Sequence, residues 1–276
     1  MSEPDAGRIR VEPDGPVATI VIDRPATRNS LTAAMKADLL AALTTIGRDG
    51  AVRAVVVTGA PGAFCAGQDL GERLAPDAIP LETEVRERYG PLVLAIRRLP
   101  QPVIAAIGGV AAGAGAGLAL AADLRIAAER ASFVLAFGRL GLVPDTGLTW
   151  LLPRIVGFGR AMELALVGDP LPAAEAERIG LVHRVVPDDA VLTEARALAA
   201  RLALGSSSSL ALTKRALWRA MESDLPAALE DEAILQGIAG RAPDHAEGLR
   251  AFAAKRLPRF AGATDPRPAP GDGGSA

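Results

Sequence analysis

Residues 108–124 read Gly-Gly-Val-Ala-Ala-Gly-Ala-Gly-Ala-Gly-Leu-Ala-Leu-Ala-Ala-Asp-Leu, and no polar side chain occurs before Asp123. Side chains this small have little to offer a ligand, so any chemistry here must come from the backbone amides. Glycine and alanine let another chain segment or a ligand approach the main chain closely, and residues 118–122 have the composition of a buried helix. The opening amides of such a helix lack internal acceptors and lie at its positive dipole end, which suits a ligand oxygen that carries negative charge. The same stretch also fits a helix whose packing simply requires small residues.

Half of the 276 residues are hydrophobic but only 3% are aromatic, so the core must be built from Ala, Leu and Val. Thirty Lys and Arg against 32 Asp and Glu give a net charge of −2, and no local basic run suggests nucleic-acid binding. The single cysteine, Cys65, excludes an internal disulfide framework and fits a reducing compartment. With only two histidines, far apart in the chain, no metal site is expected. Residues 1–7 are polar and acidic, not a signal segment, and no apolar run is long enough to cross a bilayer. A cytoplasmic protein is expected.

Taken in order, residues 8–12 and 17–23 flank Pro13-Asp14-Gly15-Pro16 and predict a hairpin. A helix follows over 31–46, with Ser30 or Thr32 as cap, and then a buried parallel strand over 54–58. The loop 59–70 leaves the carboxyl end of that strand, a place where function often sits. A helix over 81–99 is stopped by Pro100 and Pro102, and a strand over 103–107 runs into the glycine-rich stretch. Strands over 124–128 and 132–137 and a short helix over 148–152 come next. Beyond them, apart from a strand over 181–186, helices are expected at 160–167, 173–179, 188–204, 207–221, 225–238 and 243–255. The organisation is a flexible start (1–7), a βα core (8–186), a helical C-terminal part (187–260) and a Pro/Gly-rich tail (261–276).

Three stretches together resemble the crotonase superfamily of enoyl-CoA hydratases and isomerases: Ala63-Phe-Cys-Ala-Gly-Gln-Asp-Leu70 within its loop, the 108–123 stretch, and residues 140–152. The likeness continues through Gly180-Leu-Val-His-Arg-Val-Val186, Thr213-Lys-Arg215 and Glu247-Gly-Leu-Arg-Ala-Phe-Ala-Ala-Lys-Arg256. Among the branches of the family, Ala136-Phe-Gly-Arg-Leu-Gly-Leu-Val-Pro-Asp-Thr-Gly147 followed by Trp150-Leu-Leu-Pro-Arg154 looks most like the 1,2-epoxyphenylacetyl-CoA isomerase type. The resemblance implies an α/β fold, a spiral of βαβ units with a C-terminal helical region that makes oligomer contacts in a homotrimer or homohexamer. It also implies an acyl-CoA thioester as substrate, with coenzyme A as part of that substrate and no separate cofactor.

By motif position, the thioester carbonyl would be held by the backbone amides of Gln68 and Ala114. Two such donors stabilise the enolate oxygen that forms when a proton is removed beside the thioester, and one donor is worth roughly 3 kcal/mol. For coenzyme A the resemblance points to Arg28, to Ala66, Gln68, Asp69 and Leu70 in the first loop, and to Phe252 and Lys255, the last two serving a neighbouring subunit. The hydratase branch uses two glutamates, and the matching positions here are Gly117 and Phe137. Neither can carry a proton. The isomerase branch has an aspartate in its Pro-Asp turn, which matches Asp145, and one carboxylate suffices to move a proton from one carbon to another. Asp145 could equally cap the 148–152 helix. Leu148 stands where the isomerase pattern has a second glycine, which implies a change in the pocket wall or in the acyl group admitted.

Two other functions remain open at this point. One is hydration by a carboxylate outside the usual pair, among Asp69, Glu72, Glu82 and Glu84. The other is acyl-CoA binding without catalysis. His183 and His245 are expected to be structural, and Cys65 to be a small buried filler.

Overall fold

The computed structural model describes residues 7–260; the expected tail over 261–276 and residues 1–6 of the expected flexible start lie outside the described residues. Ten strands are present among the described residues: β1 (Arg8–Asp14), β2 (Val17–Asp23), β3 (Ala54–Gly59), β4 (Ala63–Cys65), β5 (Val103–Ile107), β6 (Val110–Ala112), β7 (Leu124–Ala128), β8 (Ser132–Val134), β9 (Leu171–Pro172) and β10 (Arg184–Val186). They form a six-stranded sheet in the order β1-β2-β3-β5-β7-β10 and a four-stranded sheet in the order β4-β6-β8-β9. Only β1 and β9, at sheet edges, run antiparallel to their neighbours. The inner strands of the larger sheet are continuous apolar runs such as Ala-Val-Val-Val-Thr-Gly, as a parallel sheet covered on both faces requires.

The chain passes from one sheet to the other three times, from β3 to β4, from β5 to β6 and from β7 to β8. Each pass lays down one strand beside its predecessor in both sheets. Repetition of this step produces the expected α/β spiral.

Among the described residues twelve α-helices accompany the strands: α1 (Ala33–Arg48), α2 (Leu70–Arg73), α3 (Leu81–Glu84), α4 (Gly90–Arg98), α5 (Ala114–Ala121), α6 (Leu148–Val156), α7 (Phe158–Val167), α8 (Ala173–Arg178), α9 (Val191–Ala203), α10 (Ser207–Ala220), α11 (Leu225–Gly240) and α12 (Pro243–Ala253). Thr32 caps α1 by accepting from the Met35 amide, and Ser206 caps α10 by accepting from the Ser209 amide. Helix α9 presents Ala195, Ala199 and Ala203 at four-residue spacing, all buried, and packs on strands β2, β3, β5 and β7. Small side chains permit that close approach, which is how so few aromatic residues fill the interior. Helix α10 is tied to the core by Lys214, which pairs with Asp123 at 2.7 Å and donates to the Ile96 and Gln101 carbonyls. No helix among the described residues is long and apolar enough to cross a membrane.

Three expectations need correction. The helix over 81–99 is interrupted, because Val85–Tyr89 forms a π-turn between α3 and α4. The strand over 132–137 ends at Val134, and Phe137 lies instead on a 3-10 turn, Ala136–Leu140. Strands β4 and β6 fall where a loop and a glycine-rich stretch are expected, and β9 where no element is expected; two or three residues carry no periodicity to betray a strand.

Helix α5 is buried throughout and crosses the β4 strand at backbone distance. A Cβ on Gly115 would lie 2.1 Å from the Cys65 carbonyl oxygen, a rigid main-chain atom. Gly115→Ala is therefore expected to destabilise the protein by about 3 kcal/mol, at the upper end of ordinary overpacking, read as a lower urea midpoint at unchanged slope.

Candidate active site

Strands β4 and β6 are parallel neighbours, with Cys65 beside Ala111, so the segments that follow them leave the sheet side by side. The first is Ala66-Gly67-Gln68-Asp69 and the second is Gly113-Ala114. Gly67 has φ +89° and Gly113 has φ +52°, backbone regions that favour glycine. A Cβ on Gly67 would also fall 2.8 Å from the Ala112 oxygen and 3.1 Å from the Ala114 nitrogen. These glycines bring the two loops into contact at the carboxyl ends of the strands, the end where α/β proteins bind ligands.

The first loop is held by a parallel bridge to Leu31. The Leu31 amide donates to the Gly67 carbonyl at 2.7 Å and the Asp69 amide donates to the Leu31 carbonyl at 3.1 Å. That pattern uses the residues on either side of Gln68 and turns the Gln68 amide to the opposite side. Ala114 is the first residue of α5, and the first amide that bonds back within that turn is Gly117, to the Gly113 carbonyl at 3.2 Å. Both expected donors, Gln68 and Ala114, line one cavity of about 880 Å³.

Asp145 lines the same cavity. It is half-buried, and desolvation holds its carboxyl above the usual aspartate range, an effect that the charge of Glu84 reinforces and a hydrogen bond from Thr146 Oγ1 at 2.7 Å opposes. Its carbonyl accepts from the Leu148 amide, but Asp145 does not cap α6, which corrects that expectation: the N-cap is Gly147, no side chain caps the helix, and Asp145 lines the cavity instead. Thr146 adopts φ +51°, a rare conformation for a β-branched residue, and Gly147 follows at φ +79°. The turn is fixed by α5: a Cβ on Gly117 would meet the Thr146 oxygen at 2.6 Å and its Cβ at 2.8 Å. The place that a hydratase-type glutamate would occupy is thus filled by the segment that carries Asp145. Phe137, at the other such position, is an apolar part of the cavity wall. Leu148 is fully buried in the core and is not part of that wall, which corrects the expectation for it.

Three carboxylates line the cavity: Asp69, Glu84 and Asp145. Asp69 pairs with Arg24, accepts from Ser30 at 3.2 Å and caps α2 through the Glu72 amide. Glu84 pairs with Lys36 and, at 2.9 Å, with Arg88. Asp145 alone of the three has no cationic partner among the described residues. Of the other alternative acids, Glu72 accepts from the Ala33 amide at 2.8 Å and Glu82 is exposed beside Arg86.

The remaining expected contacts divide into two groups. Ala66 and Leu70 line the cavity, and the Ala66 amide donates to the carbonyl of exposed Arg28 at 3.0 Å, which places Arg28 at its edge. Phe252 and Lys255, at the end of α12, are exposed and are not among the cavity residues of this chain. His183, an exposed residue, accepts from the Arg125 amide at 3.1 Å outside the cavity, and burial pushes the Cys65 thiol up to about 12, in keeping with structural roles for both. Sequence reasoning missed the side chains of Lys36 and Tyr89, which both donate to Gln68; a lysine inside the apolar face of α1 was the signal available.

A family model described as enoyl-CoA hydratase/isomerase matches residues 12–263. The chain is 49% identical to a Rhodobacter capsulatus protein described as a probable enoyl-CoA hydratase, over 92% of this chain and 98% of that one. It is 45% identical to the 1,2-epoxyphenylacetyl-CoA isomerase of Escherichia coli, over 89% of this chain and 95% of the relative. The solved structure of an enoyl-CoA hydratase from Bacillus anthracis superposes with a TM-score of 0.87 at 37% identity, over 92% of this chain and 99% of that chain.

Because Thr146 stabilises the ionised form of Asp145, its removal raises the carboxyl pKa further. Thr146→Val is expected to move the titration of Asp145, followed by carboxyl carbon NMR, to higher pH. An unchanged titration would show that the hydroxyl bond is not made in solution.

Proposed function

The chain belongs to the enoyl-CoA hydratase/isomerase family, and on that premise we propose that it is an acyl-CoA isomerase that works through a thioester enolate. The observation that carries this reading is the single uncompensated carboxylate, Asp145, in a cavity whose other acids are held by cations. Hydration across a double bond calls for one group to activate water and another to deliver a proton; a double-bond shift needs one base that gives back what it takes.

In the proposed reaction the thioester carbonyl accepts from the Gln68 and Ala114 amides. The Asp145 carboxylate removes a proton from the carbon beside the carbonyl of a 3-enoyl-CoA. The electron pair of that C–H bond passes to the carbonyl oxygen, forming a dienolate whose charge the two amides stabilise. The protonated Asp145 then delivers its proton to C4, the carbonyl re-forms, and the double bond lies between C2 and C3. A carboxyl pKa held up by burial suits both halves of this exchange, because the acid and base forms are closer in energy. The E. coli relative is named for a ring-epoxide CoA thioester, which adds that class to the candidate substrates. The leading setting is degradation of fatty or aromatic acids in the cytoplasm.

Arg28 and Ala66 are proposed to meet the nucleotide end of coenzyme A. Phe252 and Lys255 would complete the site of a neighbouring subunit in a homotrimer or homohexamer, in keeping with their exposure at the end of α12. Positive charge from Arg28 and Lys255 matches the phosphates of that ligand.

The test is to offer 3-enoyl-CoA, 2-enoyl-CoA and a ring-epoxide CoA thioester to the wild type and to Asp145→Asn. Isomerisation by the wild type and a loss of about 10²-fold or more in the variant are expected. The variant should also be slightly more stable at pH 7: a carboxyl whose folded pKa is raised disfavours the folded state above that pKa, and asparagine has no such cost. Rapid hydration of 2-enoyl-CoA, undiminished in Asp145→Asn, would instead favour the hydratase named for the R. capsulatus relative. Binding of all three thioesters with no turnover would favour a non-catalytic acyl-CoA binder.

A further inference from the structure

The two-amide reading leaves unexplained why a lysine and a tyrosine are buried behind the first loop. Lys36 and Tyr89 are each 2% exposed. Both aim at one atom, Gln68 Oε1: Lys36 Nζ donates to it at 2.8 Å and the Tyr89 hydroxyl at 2.8 Å. The two lone pairs of that amide oxygen are thereby filled. Lys36 reaches the loop from α1, continues to Glu84, and lies 4.8 Å from the Tyr89 ring centre. Glu84 is in turn held by Arg88.

The π-turn makes this arrangement possible. In an unbroken α-helix residues 84 and 89, five apart, would point about 140° away from each other. Val85–Tyr89 closes a wider turn, with the Gly90 amide donating to the Val85 carbonyl, and this returns Tyr89 to the face that carries Glu84. Single π-turns inside helices concentrate at functional sites. An apolar trio would fill the same space without the desolvation of a buried ammonium. What the polar trio supplies instead is direction: Gln68 is fixed through its main chain by Leu31 and through its side chain by α1 and the π-turn.

We infer that Lys36 and Tyr89 are positioning residues that clamp the Gln68 side chain and so aim its backbone amide at the thioester carbonyl. Tyr89 also lines the cavity, whereas Lys36 does not; both act through Gln68 and neither acts on the reacting atoms. The inference rests on the reading of the Gln68 and Ala114 amides as an oxyanion site. Burial pushes the Tyr89 phenol well above its ordinary value, so it remains a donor across the working pH range.

The experiment uses Tyr89→Phe, which removes one donor without changing the ring, and Gln68→Met, which keeps the backbone amide and the Lys36–Glu84 pair but removes the acceptor. The carbonyl stretch of butyryl-CoA labelled with ¹³C at the thioester carbon is measured by infrared difference spectroscopy, free and bound, alongside kinetics. The wild type should lower the frequency on binding, and both variants should return it toward the free value. Both should lose about tenfold in kcat at little-changed KM, as expected for an interaction made mainly in the transition state. The acid limb of the pH profile should stay in place, because Asp145 is untouched. A wild-type frequency retained in both variants, with only the melting temperature lowered, overturns the inference and leaves the two-amide reading intact. A displaced acid limb also overturns it, since the network would then act through Asp145. If the wild type itself leaves the carbonyl at its free frequency, the two-amide reading fails and this inference with it.

Discussion

The arrangement depends on a backbone contact that side chains would prevent. Where β4 runs into the first loop and β6 into α5, the main chains meet at Gly67 and Gly115, and added Cβ atoms there would strike carbonyl oxygens at 2.8 and 2.1 Å. This closeness lets Gln68 and Ala114, from different turns of the spiral, line one cavity. It also explains the alanine-rich composition, since α5 is buried on all sides and larger residues would push the sheets apart. The catalytic potential of the glycine-rich stretch and its packing role are one property.

The second consequence of α5 lies on its other side. Gly117 admits the Thr146 backbone at a distance that excludes any side chain, and the 145–147 turn takes a strained, left-handed course as a result. A β-branched residue at positive φ costs about 1–2 kcal/mol, which the surrounding packing must offset. In return Asp145 lines the cavity, partly desolvated and without a cationic partner among the described residues, while Asp69 and Glu84 hold loops. One cavity thus contains three carboxylates with different work, separated by their partners and not by their chemistry.

Much of this was legible in the sequence because it was written in long, uniform signals. The β-branched run of β3, the strand–loop–helix alternation and the small-residue stretch before Asp123 led to a βα core and to the two loops, and the family resemblance supplied the spiral. Short signals failed. Three-residue strands such as β4 and β6 exist only because a neighbour pairs with them, and the π-turn at 85–89 has the same helical periodicity as the helices around it. Leu148 looked like part of a pocket wall in a motif comparison, but helix α6 turns it into the core. The clamp on Gln68 was invisible for a different reason: Lys36, Gln68 and Tyr89 lie 32 and 21 residues apart, and no local pattern joins them. The roles of Phe252 and Lys255 depend on a neighbouring subunit, which a single chain leaves open to proposal.

The central claim, that Asp145 is the base for a carbon acid activated by two amides, is tested most directly by proton exchange without turnover. Butyryl-CoA, which has no double bond to move, is incubated with the protein in D₂O, and deuterium beside the thioester carbonyl is followed by proton NMR. The account predicts exchange with the wild type, with a rate that falls as pH drops below the raised Asp145 pKa, and none above background with Asp145→Asn. Exchange at equal rates in both proteins, or in neither while butyryl-CoA is bound, would contradict it.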